Sequence, residues 1–371
     1  MGILISSRSR YWWNCRLVHN SDRTYEDKHH KEPSRTHHHH QPYSKRASRG
    51  KQRWYPHPIH SLPSELLAHI FIIGAWLDVA FPVTVSHVCG AWRDVALHTP
   101  AVWRRITLNS NAQYGLNMWR QRIYRAKACS LDIEVGTFPS HWGKQPAVAH
   151  FDIHTVQWYI HLIHPFLYRW RSLRISFPHY APFLWNAALS ACCGEGPNVH
   201  APLIEELSLI YPANDDTKVF TLFGGVAPRL TRLVVDGIRL AWLPSLFCNL
   251  TFLDYTHRGP ARGNQAVALV LNMLEISSRL RELKIYFSSH SASVQPGHAH
   301  KRIVLPSLHA LHVRVDGPDI PHELYAFLPQ LALPALSSLY LTDHHRSVYT
   351  FPHLGPLLQV FPLAEVFMDG E

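Results

Sequence analysis

The chain has 371 residues, 46% of them hydrophobic and 17% charged, which is enough for a large apolar core and low in charge for a soluble protein. A formal charge of +10 spread over the fold would suggest nucleic-acid binding as the main role, but the charge sits at one end. Residues 1–55 hold 12 Lys and Arg against 4 Asp and Glu, leaving a near-neutral 24 against 22 for residues 56–371. That first segment is rich in Ser, Arg and His and has no sustained apolar periodicity, so it is expected to be a basic, His-rich disordered tail. Lys45, Arg46, Arg49, Lys51 and Arg53 suit a nuclear-localisation patch or weak, sequence-independent contact with nucleic acid. His37 to His40 imply no ordered metal site, and no metal is assigned. Cys15, Cys89, Cys129, Cys192, Cys193 and Cys248 lack C-x-x-C spacing, which argues against zinc and for reduced thiols in an intracellular protein, cytoplasmic or nuclear. His69, Asp78 and Pro82 interrupt the longest apolar stretch, so no membrane span is expected.

From Ser61 the pattern changes. Pro63 suits the first turn of a helix, where its missing N–H costs nothing, and Glu65 favours the positive helix start. Leu66, Leu67, Ile70, Phe71 and Ile73 follow at helical spacing, and Gly74 is expected to weaken continuation and keep this helix short. Pro82 opens a second expected helix carrying one continuous stripe of Val85, Val88, Cys89, Trp92 and Ala96. Thr99-Pro100 closes it, because the residue before proline disfavours helix.

Leu62-Pro63-x-Glu65-Leu66, Ile70-Phe71, Val88-Cys89-x-x-Trp92-Arg93, Ala96-Leu97 and Pro100-x-x-Trp103 stand in an order and spacing that resembles an F-box over residues 61–108. F-box helices dock onto the small Skp-type adaptor of cullin-RING ubiquitin ligases. The resemblance therefore implies Leu62, Pro63, Leu66 and Ile70 as adaptor contacts, and Val88, Trp92, Pro100 and Trp103 as residues that hold the fold. Taken without the resemblance, the block is a three-helix fragment capping a larger domain.

Beyond it, apolar positions recur at x, x+3, x+5 in Ile204-Leu207-Leu209, Leu230-Leu233-Val235, Leu250-Leu253-Tyr255, Leu280-Leu283-Ile285, Leu308-Leu311-Val313, Leu336-Leu339-Leu341 and Leu363-Val366-Met368. Their middle anchors are 20 to 30 residues apart, and Pro202, Pro228, Pro306 and Pro334 each precede a triplet by two residues. The pattern resembles leucine-rich repeats. Each triplet predicts a short strand with apolar side chains inward, and segments such as 266–277 predict helices between strands. Earlier units are less regular: Leu116, Trp119 and Ile123 predict a helix before the strand at Leu131 and Ile133, and 156–168 one before Leu173 and Ile175. The run Arg169 to Leu173 is similar to fungal F-box-like proteins. Residues 139–146 and 192–202 read as loops.

The expected fold is α/β: a short all-helical module at 61–108, then an irregular leucine-rich-repeat-like solenoid of alternating strands and helices over 112–371. Its outward strand positions Glu206, Arg232, Lys284, Arg314 and Tyr340 are candidates for binding a target protein. The chain stops on a strand triplet, so its last edge is expected either to meet a partner or to mark a truncated sequence. There is no G-x-S-x-G and no glycine-rich phosphate loop, and His322-Glu323-Leu324-Tyr325-Ala326 lacks the second histidine of a zincin. No catalytic residue and no cofactor is assigned. The resemblance implies a non-catalytic adaptor partnered by the Skp-type subunit, the cullin core and an unknown target; the alternative is a protein-binding repeat scaffold with a degenerate F-box and no ligase role.

Overall fold

The helices of the first module form where apolar side chains recur at i, i+4 and i+8 and bury one face. In α1 (Ser64–Leu77) that face is Leu67, Phe71 and Ala75, packed on α2 (Phe81–Ser86) and α3 (Gly90–His98). The Phe71 ring is 5.2 Å from Trp92 and 6.3 Å from Phe81. Pro63 stands just before the first helical residue and its carbonyl accepts from the Leu66 and Leu67 amides. These facts come from a computed structural model, which describes residues 58–109, 116–138, 152–180, 183–194, 199–258, 261–287, 302–316, 321–343 and 365–370.

Two sequence expectations for this module are corrected. Gly74 does not shorten the first helix, which continues for three more residues. Its missing side chain serves packing instead: a Cβ there would stand 2.3 Å from the Phe81 ring. The second apolar run is not one helix either. It breaks after Ser86, and Cys89 caps a new helix by accepting the Trp92 amide on its sulfur at 3.5 Å. The break puts Val88 in the connecting turn, 56% exposed, so Val88 does not hold the fold. Val85, Ala96, Val102 and Trp103 fill the core that the single stripe had assigned partly to Val88. Pro100 starts a 3-10 turn, Pro100–Trp103, and the buried Trp103 indole donates to the Ala96 carbonyl at 2.8 Å.

The chain then enters a ten-stranded sheet: β1 (Arg105–Leu108), β2 (Leu131–Gly136), β3 (Trp170–Ser176), β4 (Glu206–Ile210), β6 (Arg232–Asp236), β8 (Phe252–His257), β9 (Glu282–Phe287), β11 (Ala310–Val315), β13 (Ser338–Asp343) and β14 (Glu365–Gly370). Every neighbouring pair is parallel and the spatial order follows the chain. Two accessory pairs, β5 (Val219–Phe220) with β7 (Arg239–Leu240) and β10 (Ile303–Val304) with β12 (Leu331–Ala332), lie outside that sheet. Because β1 lies inside the block expected to be purely helical, the first strand of the sheet comes from it.

Register aligns the triplets. Leu207, Leu233, Leu253, Leu283, Leu311 and Leu339 form one continuous buried row, and their odd-numbered neighbours Leu209, Val235, Tyr255, Ile285, Val313 and Leu341 form a second. Val366 and Met368 continue these rows in backbone register. Burying each such side chain contributes about 1.5–3 kcal/mol, so the rows dominate cohesion.

Connections cover the sheet unevenly. α4 (Leu116–Arg125), α5 (Ile153–Ile163) and α8 (Asn264–Ile276) are full helices, with α5 passing into a 3-10 segment, His164–Arg169. By contrast α6 (Leu184–Leu189), α7 (Pro244–Phe247) and α9 (His322–Phe327) span one or two turns. Strand and helix therefore do not alternate throughout. With 20 residues between the anchors of β6 and β8, two strands and a turn leave room only for the four residues of α7. Module and sheet belong to one compact unit, His57–Glu371. The expectations for residues 1–55 and for the 139–146 loop lie outside the described residues. No described helix is long and apolar enough to cross a membrane.

Candidate functional site

The most unusual surface lies on α1, opposite its buried face. Leu66, Ile70, Ile73 and Leu77, at i, i+4, i+7 and i+11, are 51%, 45%, 62% and 66% exposed and form one unbroken apolar stripe along the helix. Scattered exposed apolar residues need no explanation, but four aligned on one helix mark an interaction surface. Of the residues assigned to adaptor contact, Leu66 and Ile70 lie in the stripe, Pro63 is exposed at its start, and Leu62 is half-buried against the core. Leu77 escapes the sequence reading because Gly74 is expected to keep the helix short, whereas Ile73 precedes that glycine and its helical spacing is readable.

At its C-terminal end α1 is held to the sheet by arginines. Arg105 donates to the Trp76 carbonyl at 2.7 Å and to Glu134 at 3.0 to 3.3 Å. The guanidiniums of Arg104 and Arg171 lie 5.2 and 5.6 Å from the Trp76 ring, within cation–π range. Asp132 anchors both: Arg104 Nε is 2.9 Å from Oδ2, and Arg171 Nη2 donates to Oδ1 at 2.6 Å. Arg122, on α4, is 3% exposed and donates to the Val79 carbonyl at 2.7 Å beside the Trp103 and Trp119 rings. Burial, then the nearby Arg105, pulls its pKa down to about 9.

The five candidate target-binding residues all fall on the face of the sheet opposite the leucine rows. Glu206 and Arg232 are exposed and face each other across β4 and β6 at 3.9 Å. Arg232 also covers the Phe252 ring at 4.0 Å. Lys284, half-buried, pairs with Glu282 at 3.3 Å. Arg314 bonds Asp254 and reaches Thr256, so it is engaged within the sheet. Tyr340 stacks on His312 at 4.2 Å with the rings 7° from parallel, and His312 lies 3.2 Å from Glu282. Burial, then Lys284, holds the His312 pKa below its ordinary value, favouring the neutral ring. Burial raises the Asp254 carboxyl, and Arg314 opposes that shift. The structure thus brings Glu206 and Arg232 together and sets Lys284, Arg314 and Tyr340 farther along the same face.

Among the described residues no group of three or more His, Cys, Asp or Glu side chains is placed to hold a metal ion. Glu323, in the zincin-like run, is buried and accepts the Gly263 amide at 2.9 Å, a structural bond that ties α9 to the start of α8. The surface chemistry is that of binding: an apolar helix stripe and a mixed-charge strand face.

Compared with known families, residues 59–109 match the F-box-like family model. No curated protein matches the chain. The helical module together with β1 is an F-box-like domain, which points to a role in protein–protein interaction.

Proposed function

We propose that the chain is the substrate-recognition adaptor of a cullin-RING ubiquitin ligase, with α1 docking the Skp-type subunit and the strand face holding a target protein. The observation that carries this reading is the unpartnered stripe Leu66, Ile70, Ile73 and Leu77, which lies inside the segment matching the F-box-like family. Such a stripe suits a hydrophobic groove on a partner. The domains of this reading are the tail 1–55, the module 61–108 and a leucine-rich-repeat-like solenoid over 112–371, with the protein working in the cytoplasm or nucleus and contributing proximity rather than a reactive group.

The solenoid reading is supported by a device repeated at five successive strand entries, from β6 to β13. The carbonyls of Glu205, Thr231, Thr251, Arg281 and His309, each one residue after the first anchor of a triplet, accept two consecutive amides from the next unit. A contact recurring at the same place in successive units is what stacked repeats produce.

Co-purification with a Skp-type adaptor tests the reading. The native chain is expected to bind and Leu66→Asp with Ile70→Asp to lose binding while folding normally, since both side chains are exposed. A folded native chain that leaves the adaptor unbound would favour the repeat scaffold with a degenerate F-box.

A further inference from the structure

We propose that the groove between the end of α1 and the first strands of the sheet binds an acidic segment of the target, a carboxylate of which is held between Arg174 and Arg232. The proposal rests on the reading of the strand face as a recognition surface and adds the chemistry of what it takes. The groove has a volume of about 460 Å³, within the usual range of about 300–1,000 Å³ for ligand sites. Trp76 forms one wall, and β1, β2, β3, β4 and β6 contribute the floor.

The carboxylates deepest in it are already engaged. Glu134 accepts three bonds from the Arg105 guanidinium and one from the Thr107 hydroxyl at 2.7 Å. Asp132 is held by Arg104, Arg171 and the Ser172 hydroxyl. Two cations remain. Arg174 is exposed, has no carboxylate within ion-pair distance among the described residues, and lies only against the Phe138 ring at 4.9 Å. Arg232 keeps about half its side chain exposed (49%), and its carboxylate neighbour Glu206 is at 3.9 Å, too far for a hydrogen bond.

The register leaves room between the two. Towards β6 Arg174 is level with Ser208 and Ser208 with Val234, so neither of the next two side chains in its row on that side is charged; on the other side it is level with Glu134, which Arg105 holds. Arg174 on β3 and Arg232 on β6 stand two strands apart and two residues out of register, roughly 12 Å by strand spacing and rise, a span that two long guanidinium arms can close on one carboxylate. Glu206, Asp254 and Glu282 along the same face would repel a continuous polyanion such as nucleic acid. A short acidic peptide at this end of the face meets Glu206 and the already paired Glu134 and not the whole row of carboxylates.

The test uses the full chain and short fluorescein-labelled Gly-Ser peptides with a central Glu-Leu-Glu, Gln-Leu-Gln or Lys-Leu-Lys, followed by anisotropy. The Glu peptide is expected to bind about tenfold tighter than the Gln peptide, the scale of a charge-assisted hydrogen bond. Arg174→Glu with Arg232→Glu should abolish that preference, Arg174→Lys with Arg232→Lys should keep part of it, and Arg279→Glu, away from the groove, should leave it unchanged. Equal binding of the three peptides, no binding, an unaltered preference in the double Glu variant, or tighter binding of a thymidine oligonucleotide than of the Glu peptide would each overturn the proposal. Adaptor binding measured on the same variants should stay native. Its absence from the native chain would remove the ligase reading and leave the peptide result standing.

Discussion

Replacing Gly74 by alanine tests how α1 extends far enough to carry Ile73 and Leu77. An alanine in mid-helix would ordinarily add about 1 kcal/mol of stability. Here the new methyl would fall 2.3 Å from Phe81 Cε1 and 2.5 Å from Cζ, so the ring must withdraw by more than an ångström and loosen its edge contact with Phe71. Overpacking of this kind costs about 1–3 kcal/mol, and the aromatic pair a further ~0.5–1.5 kcal/mol. Gly74→Ala is therefore expected to lower stability by roughly 0.5–3.5 kcal/mol, read from denaturant unfolding of the full chain. In a Phe81→Ala background the obstacle is gone and the same substitution should stabilise by about 1 kcal/mol, a reversal of sign across the double-mutant cycle. A stabilising Gly74→Ala in the otherwise native chain, or the same sign in both backgrounds, would refute the packing role of this glycine.

Trp103→Phe keeps most of the buried ring but removes the indole bond to the Ala96 carbonyl, with an expected loss of about 2 kcal/mol in the same unfolding assay. His257 is buried; its Nε2 donates to the Ala261 carbonyl, which leaves Nδ1 to accept from the Tyr255 hydroxyl and keeps the ring neutral. Burial pushes its pKa below the ordinary 6.5, against opposing contributions from the Ala261 bond and Glu323. The unfolded chain then takes up the proton first, so stability should fall as pH drops through 6.5 and level off below the folded value. His257→Gln should flatten part of that slope, with His312 supplying a component of the same sign; an unchanged slope on comparing unfolding at neutral and mildly acidic pH would count against it.

The leucine rows were legible because a buried parallel sheet selects apolar residues at period two, and register then repeats the choice from strand to strand. The helix break at Cys89 was not, because a stripe of Val85, Val88 and Trp92 reads as continuous when each residue is counted and the backbone turn between them is not. Gly74 misled for a related reason: propensity favoured a short helix, whereas the Phe81 ring needed the space. On the strand face the side of the sheet was readable for all five candidates. Their pairing was not, since Arg314 with Asp254 links residues 60 apart that only register brings together. The groove wall was likewise hidden, because Trp76 belongs to the helical module and meets Arg171 of β3 only once the module packs on the sheet.

Equilibrium binding of the purified full chain to a Skp-type adaptor, across single alanine substitutions at Leu66, Ile70, Ile73 and Leu77, tests the central claim most directly. Central apolar positions of an interface each cost about 2 kcal/mol or more on truncation, so at least two of the four should weaken binding by more than tenfold, and Arg279→Ala on the sheet domain should change nothing. A native chain that does not bind, or four alanine variants that bind as the native chain does, would contradict the assignment of α1 as the docking helix.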